Sequence, residues 1–333
     1  MTTAIRPLQP ILIILLALLF SACESPDQAG IVEEQKPSSD GPPLFSLLSP
    51  SQTGITFQNT LTEGLNTNIL MYEYFYNGGG VAVGDLNDDG LEDLYFTSNM
   101  EQNVLYLNKG EWKFEDITTV SGAGGRPGPW KTGVNMADVN GDGRLDIYIC
   151  YSGALPPQKR ANQLFINQGN DENGIPLFKD EAEAYGLASP AFSNQIYFLD
   201  YDKDQDLDAI LLNHNPKSLP ILNEANTALF LQQDDTEKGI RLLKNNKGKF
   251  TDITQQAGVS GSGLSYGLGL GISDLNNDGW DDFYVSNDYA VPDYLYLNNQ
   301  DGTFTNVLNE SVGHNSQFSM GNDIADVNND GLQ

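Results

Sequence analysis

The chain has 333 residues, 45 Asp and Glu against 17 Lys and Arg, and a formal charge of −28. So acidic a surface repels phosphate backbones and offers no basic patch, which excludes nucleic acid as a partner. Two cysteines argue against a disulfide-stapled fold, so packing and bound ions must supply the stability.

Residues 1–22 read as an export signal. Arg6 supplies a positive start, residues 11–20 form an apolar run, and Ser21-Ala22 are small. The run is too short to span a bilayer, which takes about 20 residues. Leu19-Phe20-Ser21-Ala22-Cys23 resembles a bacterial lipobox, although Phe20 stands where leucine is usual. That resemblance implies a lipid on Cys23 and an outer-membrane lipoprotein of a bacterial envelope, periplasmic or surface-facing. An ordinary signal peptide cut near Ala22 is the alternative. Loss of Arg6 with the signal leaves the mature chain at −29. Residues 23–43, with Ser25-Pro26, Lys36-Pro37 and Gly41-Pro42-Pro43, read as a flexible tether, and 44–333 as the folded part. Tyr72, Tyr74, Phe75 and Tyr76 then form an aromatic cluster, either packing or a platform for stacking sugars.

The organising stretch begins at Asp85. Asp85, Asn87, Asp89 and Asp93 put side-chain oxygens at loop positions 1, 3, 5 and 9, with Gly90 at position 6 and the Leu91 carbonyl at position 7. The pattern returns in Asp138, Asn140, Asp142, Gly143, Arg144 and Asp146, and in Asp274, Asn276, Asp278, Gly279, Trp280 and Asp282. A variant, Asp200, Asp202, Asp204, Gln205, Asp206 and Asp208, carries glutamine for glycine. A fifth copy starts with Asp326, Asn328 and Asp330. Alternating oxygens around a glycine turn, completed by the position-7 carbonyl and water, meet calcium's need for six to eight oxygens. About one Ca2+ per repeat is expected. Position 12 is Phe96, Ile149, Leu211 or Val285, none of which ligates, so these are loops between strands and not EF-hands.

Plain hairpin turns use the same residue types. A turn, however, has no need of the position-9 aspartate, and its presence in all four complete copies points to metal. Positions 1, 3, 5 and 9 hold 15 of the 45 acids. Crowding carboxylates in this way couples folding to cation binding.

The loops start at 85, 138, 200, 274 and 326, a period near 50 that predicts a propeller or solenoid. Around each loop four apolar runs recur. First strands are expected at 80–83, 133–137, 196–199 and 268–272, second strands at 94–96, 147–149, 209–212 and 283–285. Third strands are expected at 104–108, 164–167, 242–245 and 295–298, fourth strands at 114–117, 178–180, 250–253 and 304–307. Four short antiparallel strands per repeat make a propeller blade, so the fold class is all-β. Cys150, inside an apolar run, reads as a small buried hydrophobe. Insertions at 156–160 and 216–238 read as loops.

Chemistry finds little purchase. Gly263-Leu-Ser265-Tyr-Gly267 matches G-x-S-x-G, yet it leads into a first strand and not a helix. His214 and His314 fall in loops and read as ordinary surface residues.

Gly78-Gly-Gly-Val-Ala-Val-Gly-Asp-Leu-Asn-Asp-Asp-Gly-Leu-Glu-Asp93 and Phe250-Thr-Asp-Ile-Thr-Gln-Gln-Ala-Gly258 resemble FG-GAP/VCBS repeats. The wording is nearest to bacterial proteins similar to cartilage acidic protein, often associated with an ASPIC/UnbV domain. The resemblance implies a calcium-dependent propeller like that of integrin α-subunits, seven-bladed when complete. The four full repeats and the start of a fifth present here read as an N-terminal fragment of it. Phe45-Ser-Leu-Leu-Ser and Thr53-Gly54-Ile55 resemble a fourth strand and its sequel, set before the first loop. Two functions remain open: a non-enzymatic binding or adhesion module for a protein or glycan, or an extracellular carbohydrate-active lyase or hydrolase.

Overall fold

Each repeat breaks into short apolar runs separated by Asn, Asp and Gly, and each run becomes one strand. In the computed structural model, which describes residues 45–216, 223–289 and 291–333, the first sheet is β1 (Val81–Gly84), β2 (Asp93–Phe96), β3 (Val104–Asn108) and β4 (Phe114–Asp116). The second is β5 (Lys131–Ala137), β6 (Asp146–Tyr151), β7 (Gln163–Asn170) and β8 (Pro176–Asp180). The third is β9 (Ser193–Leu199), β10 (Asp208–Asn213), β11 (Arg241–Asn245) and β12 (Phe250–Asp252). The fourth is β13 (Gly267–Ser273), β14 (Asp282–Asn287), β15 (Tyr294–Asn298) and β16 (Phe304–Asn306). Every sheet is antiparallel with its strands in chain order, the arrangement of a propeller blade. All sixteen strands fall on the expected runs.

The chain divides into two units, Met1–Leu48 and Ser49–Gln333. The export signal, Cys23 and the tether lie outside the described residues. Residues 45–48 carry no regular structure and are exposed, so the expected fourth-strand character of Phe45 to Ser49 is absent. Its sequel behaves as expected. Gly54 is left-handed (φ 83°) and sits against the Phe114 carbonyl, as Gly122, Gly186 and Gly258 sit against those of Phe178, Phe250 and Phe304. At all four places a Cβ would fall 2.5–3.2 Å from that oxygen, which only glycine avoids.

The core lies between neighbouring sheets. β6 sends Ile147, Ile149 and Tyr151 towards Ala82, Tyr95 and Leu105 of the first sheet. The alternate residues Tyr148 and Cys150 pack with Ile196, Ala209 and Leu211 of the third. β10 in turn gives Ile210 and Leu212 to Leu270, Phe283 and Val285 of the fourth. β6 and β10 are therefore buried on both faces, which is why they read as continuous apolar runs, whereas β2 alternates. Cys150 is a fully buried free thiol, as its neighbours suggested.

First strands lie side by side, β1 on β5, β5 on β9 and β9 on β13, and form the inner layer. Their glycines permit the approach: a Cβ on Gly133 would stand 2.5 Å from the Asn194 carbonyl oxygen.

Residues 68–77 cross the starts of these inner strands. Tyr72, Tyr74 and Phe75 are buried there with Trp130 and Tyr266, so three of the four clustered aromatics are packing. Their hydroxyls are used internally: Tyr72 Oη is 3.1 Å from His214 Nε2, and Tyr74 donates to Asp288 at 3.1 Å. His214 is thus buried, contrary to the surface position expected of it, because the chain after β10 turns in beneath these rings. Burial holds its imidazole down at about 3, neutral at any ordinary pH. The insertion at 216–238 contains a helix, Glu224–Leu231, in place of a plain loop. Among the described residues no helix is long and apolar enough to cross a membrane.

Gly133→Ala should lower unfolding stability by about 1–3 kcal/mol through overpacking between β5 and β9. Gly313→Ala, with nothing within 4 Å of its Cβ, should be near neutral. Denaturant midpoints of the two variants check this, and equal midpoints would contradict the inner-layer packing.

Candidate metal centre

Each of the four complete acidic loops is the hairpin that joins a first strand to a second. The cross-strand pairs Gly84–Asp93, Ala137–Asp146, Leu199–Asp208 and Ser273–Asp282 put the position-9 aspartate at the first residue of the second strand. All four of these carboxylates are buried.

Position 1 organises the turn. Asp85 accepts the backbone N–H of Asp89 at 3.1 Å and of Gly90 at 2.7 Å, one on each oxygen. Asp138, Asp200, Asp274 and Asp326 accept from positions 5 and 6 in the same way, at 2.7–3.1 Å. Position 5 accepts the N–H of position 7, as in Asp89 to Leu91, Asp142 to Arg144, Asp204 to Asp206, Asp278 to Trp280 and Asp330 to Leu332. Two residues per loop are left-handed: position 6, as expected, and position 4 (Asp88, Gly141, Lys203, Asn277 and Asn329). The second was missed, although Asp, Asn and Gly at four of five position-4 sites were its signal.

Position 9 has a duty that sequence reasoning also missed. Asp93 accepts the N–H of Leu86 at 3.0 Å and of Asn108, on β3, at 2.8 Å. Asp146 does the same with Val139 and Asn167, and Asp282 with Leu275 and Asn298. The aspartate staples the loop entrance to the third strand, so its recurrence is not evidence for metal alone. Each oxygen keeps a second lone pair for a cation.

The donor set fits a hard cation on a separate observation. Asn87 Oδ1, Asp202 Oδ1 and Asp208 Oδ2 are buried without any hydrogen-bond partner. All three belong to loop positions 3 or 9. In the third loop, Asp200, Asp202 and Asp208 bring one oxygen each within 4.8 Å of one another. Unpaired buried oxygens are costly, and an oxygen-seeking ion such as calcium relieves that cost. Leu91, Arg144, Asp206 and Trp280 stand at position 7, where a backbone carbonyl would complete the shell. The Arg144 side chain pairs with Asp142 at 2.5 Å in an exposed bridge of small energetic weight.

Electrostatics agree. Burial, reinforced by the neighbouring loop carboxylates, pushes Asp93 up to about 6, and Asp146 and Asp208 to about 7. Asp282 is raised for the same reasons.

The third loop differs from the rest. Both its left-handed positions, Lys203 and Gln205, are neither glycine nor Asn/Asp, a costlier backbone. It is braced from outside. Lys203 donates to the Gly279 carbonyl and lies 4.5 Å over the Trp280 ring. Lys244 donates to Asp202 and lies 3.7 Å from Asp204. Leu107, Ile166 and Leu297 occupy the matching place in the other sheets, one residue before the third-strand asparagine. Loop three therefore holds a cation of its own, an ammonium on one of the carboxylates that the three-aspartate cluster also offers.

The nucleophile-like motif does not assemble. Ser265 is buried, its hydroxyl shares a hydrogen bond with Tyr294 at 3.1 Å, and Gly267 opens strand β13, not a helix.

A family model described as an FG-GAP-like repeat matches residues 75–149 and 274–333. The chain carries FG-GAP-like repeats. The match takes in the loops at Asp85, Asp138, Asp274 and Asp326 and passes over the third, the one with Gln205 and Lys244. Cartilage acidic protein 1 of Xenopus tropicalis is 31% identical over 146 residues, 41% of this chain and 20% of that protein. The Homo sapiens protein of that name is 29% identical over 145 residues, with the same coverage. The chain thus spans about a fifth of the length of these relatives. A solved Agrocybe aegerita lectin, described as recognising non-reducing terminal N-acetylglucosamine, overlaps 67% of this chain and 49% of its own at 17% identity. Its TM-score is 0.34.

Two outcomes are expected of these loops. A buried Asp with a raised folded-state pKa favours the protonated form, so its contribution is present at acid pH and is lost as pH rises through about 6–7. Chelator-treated protein should therefore melt lower at pH 7.5 than at pH 5.5, and calcium should remove most of that difference. Thermal scans at both pH values decide it; a chelated protein equally stable at both contradicts the account. Lys244→Leu should enlarge the calcium-induced rise in melting temperature, since it strips a positive charge from the Asp202 and Asp204 carboxylates and leaves calcium to replace it. An unchanged rise would show that Lys244 does not compete.

Proposed function

We propose that this chain is a calcium-stabilised binding module, held by a lipid on Cys23 at the outer membrane of a bacterial envelope, that retains a protein or glycan without turning it over. The observation that carries the reading is the shared geometry of the acidic hairpins, with three orphaned oxygens at ligand positions. Asp85, Asn87, Asp89 and Asp93 would hold one ion, and their counterparts in the later loops would hold others. The ion supplies charge neutralisation where four first strands turn into second strands. The chain's own residues supply the turn and the staple to the third strand. Blade surfaces, insertions and inter-strand loops are then free to recognise a partner.

Thermal unfolding with millimolar calcium and with a chelator tests it. Extracellular calcium modules bind at about 10⁻⁴–10⁻³ M, so ten times that concentration adds about 1.4 kcal/mol per independent site. The rise should vanish in an Asp85→Ala, Asp138→Ala and Asp274→Ala triple variant. A cooperatively folded protein with no calcium shift would reduce the loops to turns. In a Gram-negative host the wild type should fractionate with membranes and Cys23→Ala with soluble protein; equal fractionation of the two removes the anchor.

A further inference from the structure

Far from the acidic hairpins, a cavity of about 460 Å³ opens at the starts of the inner strands. That volume lies within the roughly 300–1,000 Å³ of small-molecule sites. The hairpins follow the ends of those strands, so Thr132 in the cavity wall, near the start of seven-residue β5, stands roughly 20 Å from the hairpin that follows. Residues 72–80, β5, β9, β13 and the fifth repeat all contribute to its wall. A site built from so many elements is formed before any ligand arrives.

Its chemistry is unlike that of the rest of the molecule. The chain is 19% charged and strongly acidic, yet none of the residues lining this cavity is charged. Aromatic rings and side-chain amides line it instead. Tyr76 is 55% exposed, and its ring stands edge-on against buried Phe75 at 5.0 Å, which itself leans on Trp130 at 5.2 Å. The one aromatic of the 72–76 cluster left out of the packing is thus held in place by the others. Asn77 presents a side-chain amide with no described partner. Asn194 donates to the Leu268 carbonyl at 3.3 Å, which leaves its Oδ1 acceptor without one.

We infer that this cavity binds a neutral saccharide unit. It rests on the binding-module reading and names the ligand class. An aromatic face takes the C–H side of a pyranose ring, and amides both donate to and accept from hydroxyl groups. An anionic ligand would find no cation in the lining, and a cationic one no carboxylate. Uncharged walls within a surface of −28 also let a neutral ligand enter without crossing a barrier of like charge.

Saturation-transfer NMR and calorimetry on the calcium-loaded protein test it. The probes are cellobiose, lactose, maltose and N,N′-diacetylchitobiose, with a glucuronate-containing disaccharide as the charged counterpart. At least one neutral disaccharide should bind with a dissociation constant at or below about 10 mM, and the charged one should not. Asn194→Asp, which adds charge at nearly constant volume, and Tyr76→Ala should each weaken binding by about tenfold or more. Asn194→Ala replaces the first variant if it fails to melt cooperatively. No binding by any neutral probe, or binding unchanged in all these variants, overturns the assignment. A failed sugar titration with an intact calcium-induced thermal shift removes only this cavity. Loss of both removes the binding-module reading with it.

Discussion

Crowded carboxylates at the first hairpin of every blade are the constraint on which the rest depends. A blade of this kind needs its first strand to reverse tightly into a second strand that opens on a buried aspartate. The reversal is made by an aspartate at position 1 that captures two backbone N–H groups, and by a buried aspartate at position 9 that reaches the third strand. Each device is a carboxylate because a carboxylate accepts several hydrogen bonds and donates none. The cost is desolvation and, after it, mutual repulsion, visible in the raised pKa values of Asp93, Asp146 and Asp208. A divalent ion would answer that cost directly, at the same carboxylates that shape the turn.

The third loop shows what happens when that solution is altered. With Gln205 for glycine and Lys203 at the other left-handed position, the turn is held by two lysines, one capping its neighbour's loop and one on its own carboxylates. Lysine is long enough to reach in from β11 where the other blades carry Leu or Ile. A tethered monovalent charge is a weaker neutraliser than calcium, but its presence does not depend on concentration. The same blade carries four acids at ligand positions where its neighbours carry three, so it has the most repulsion to offset.

The two ends of the inner strands thus have opposite characters. At one end lie acidic hairpins whose side chains are committed to the backbone. At the other, an aromatic strap covers the strand starts and leaves an uncharged cavity beneath Tyr76. The strap is buried on rings from three blades, and His214 is drawn into it as a neutral hydrogen-bonding group rather than a titrating one.

Much of this was legible in the chain itself, for a physical reason. Strands, turns and blade order depend on local periodicity and on residues with special backbone freedom, and both are written in sequence: the recurring Asp-x-Asn-x-Asp-Gly, the apolar runs on either side, and glycine after three of the four fourth strands. Side-chain environments set by non-neighbours were not. Nothing near position 214 in the chain says that Tyr72 and Tyr74 will lie on His214. Nothing near position 93 says that the Asn108 amide will need a carboxylate. Lys244 reads as an ordinary strand residue until β11 is laid beside the loop it neutralises. Phe45 to Leu48 misled in the other direction, since a strand-like composition makes a strand only where a neighbouring strand offers its hydrogen bonds. The sequence by itself determined the repeat, the blade and the oxygen-rich hairpins, because these are short-range matters of spacing and turn chemistry. Only the tertiary structure decided which aspartates are buried staples, which lysine stands in for a cation and where an uncharged cavity opens, because each depends on groups brought together from distant parts of the chain.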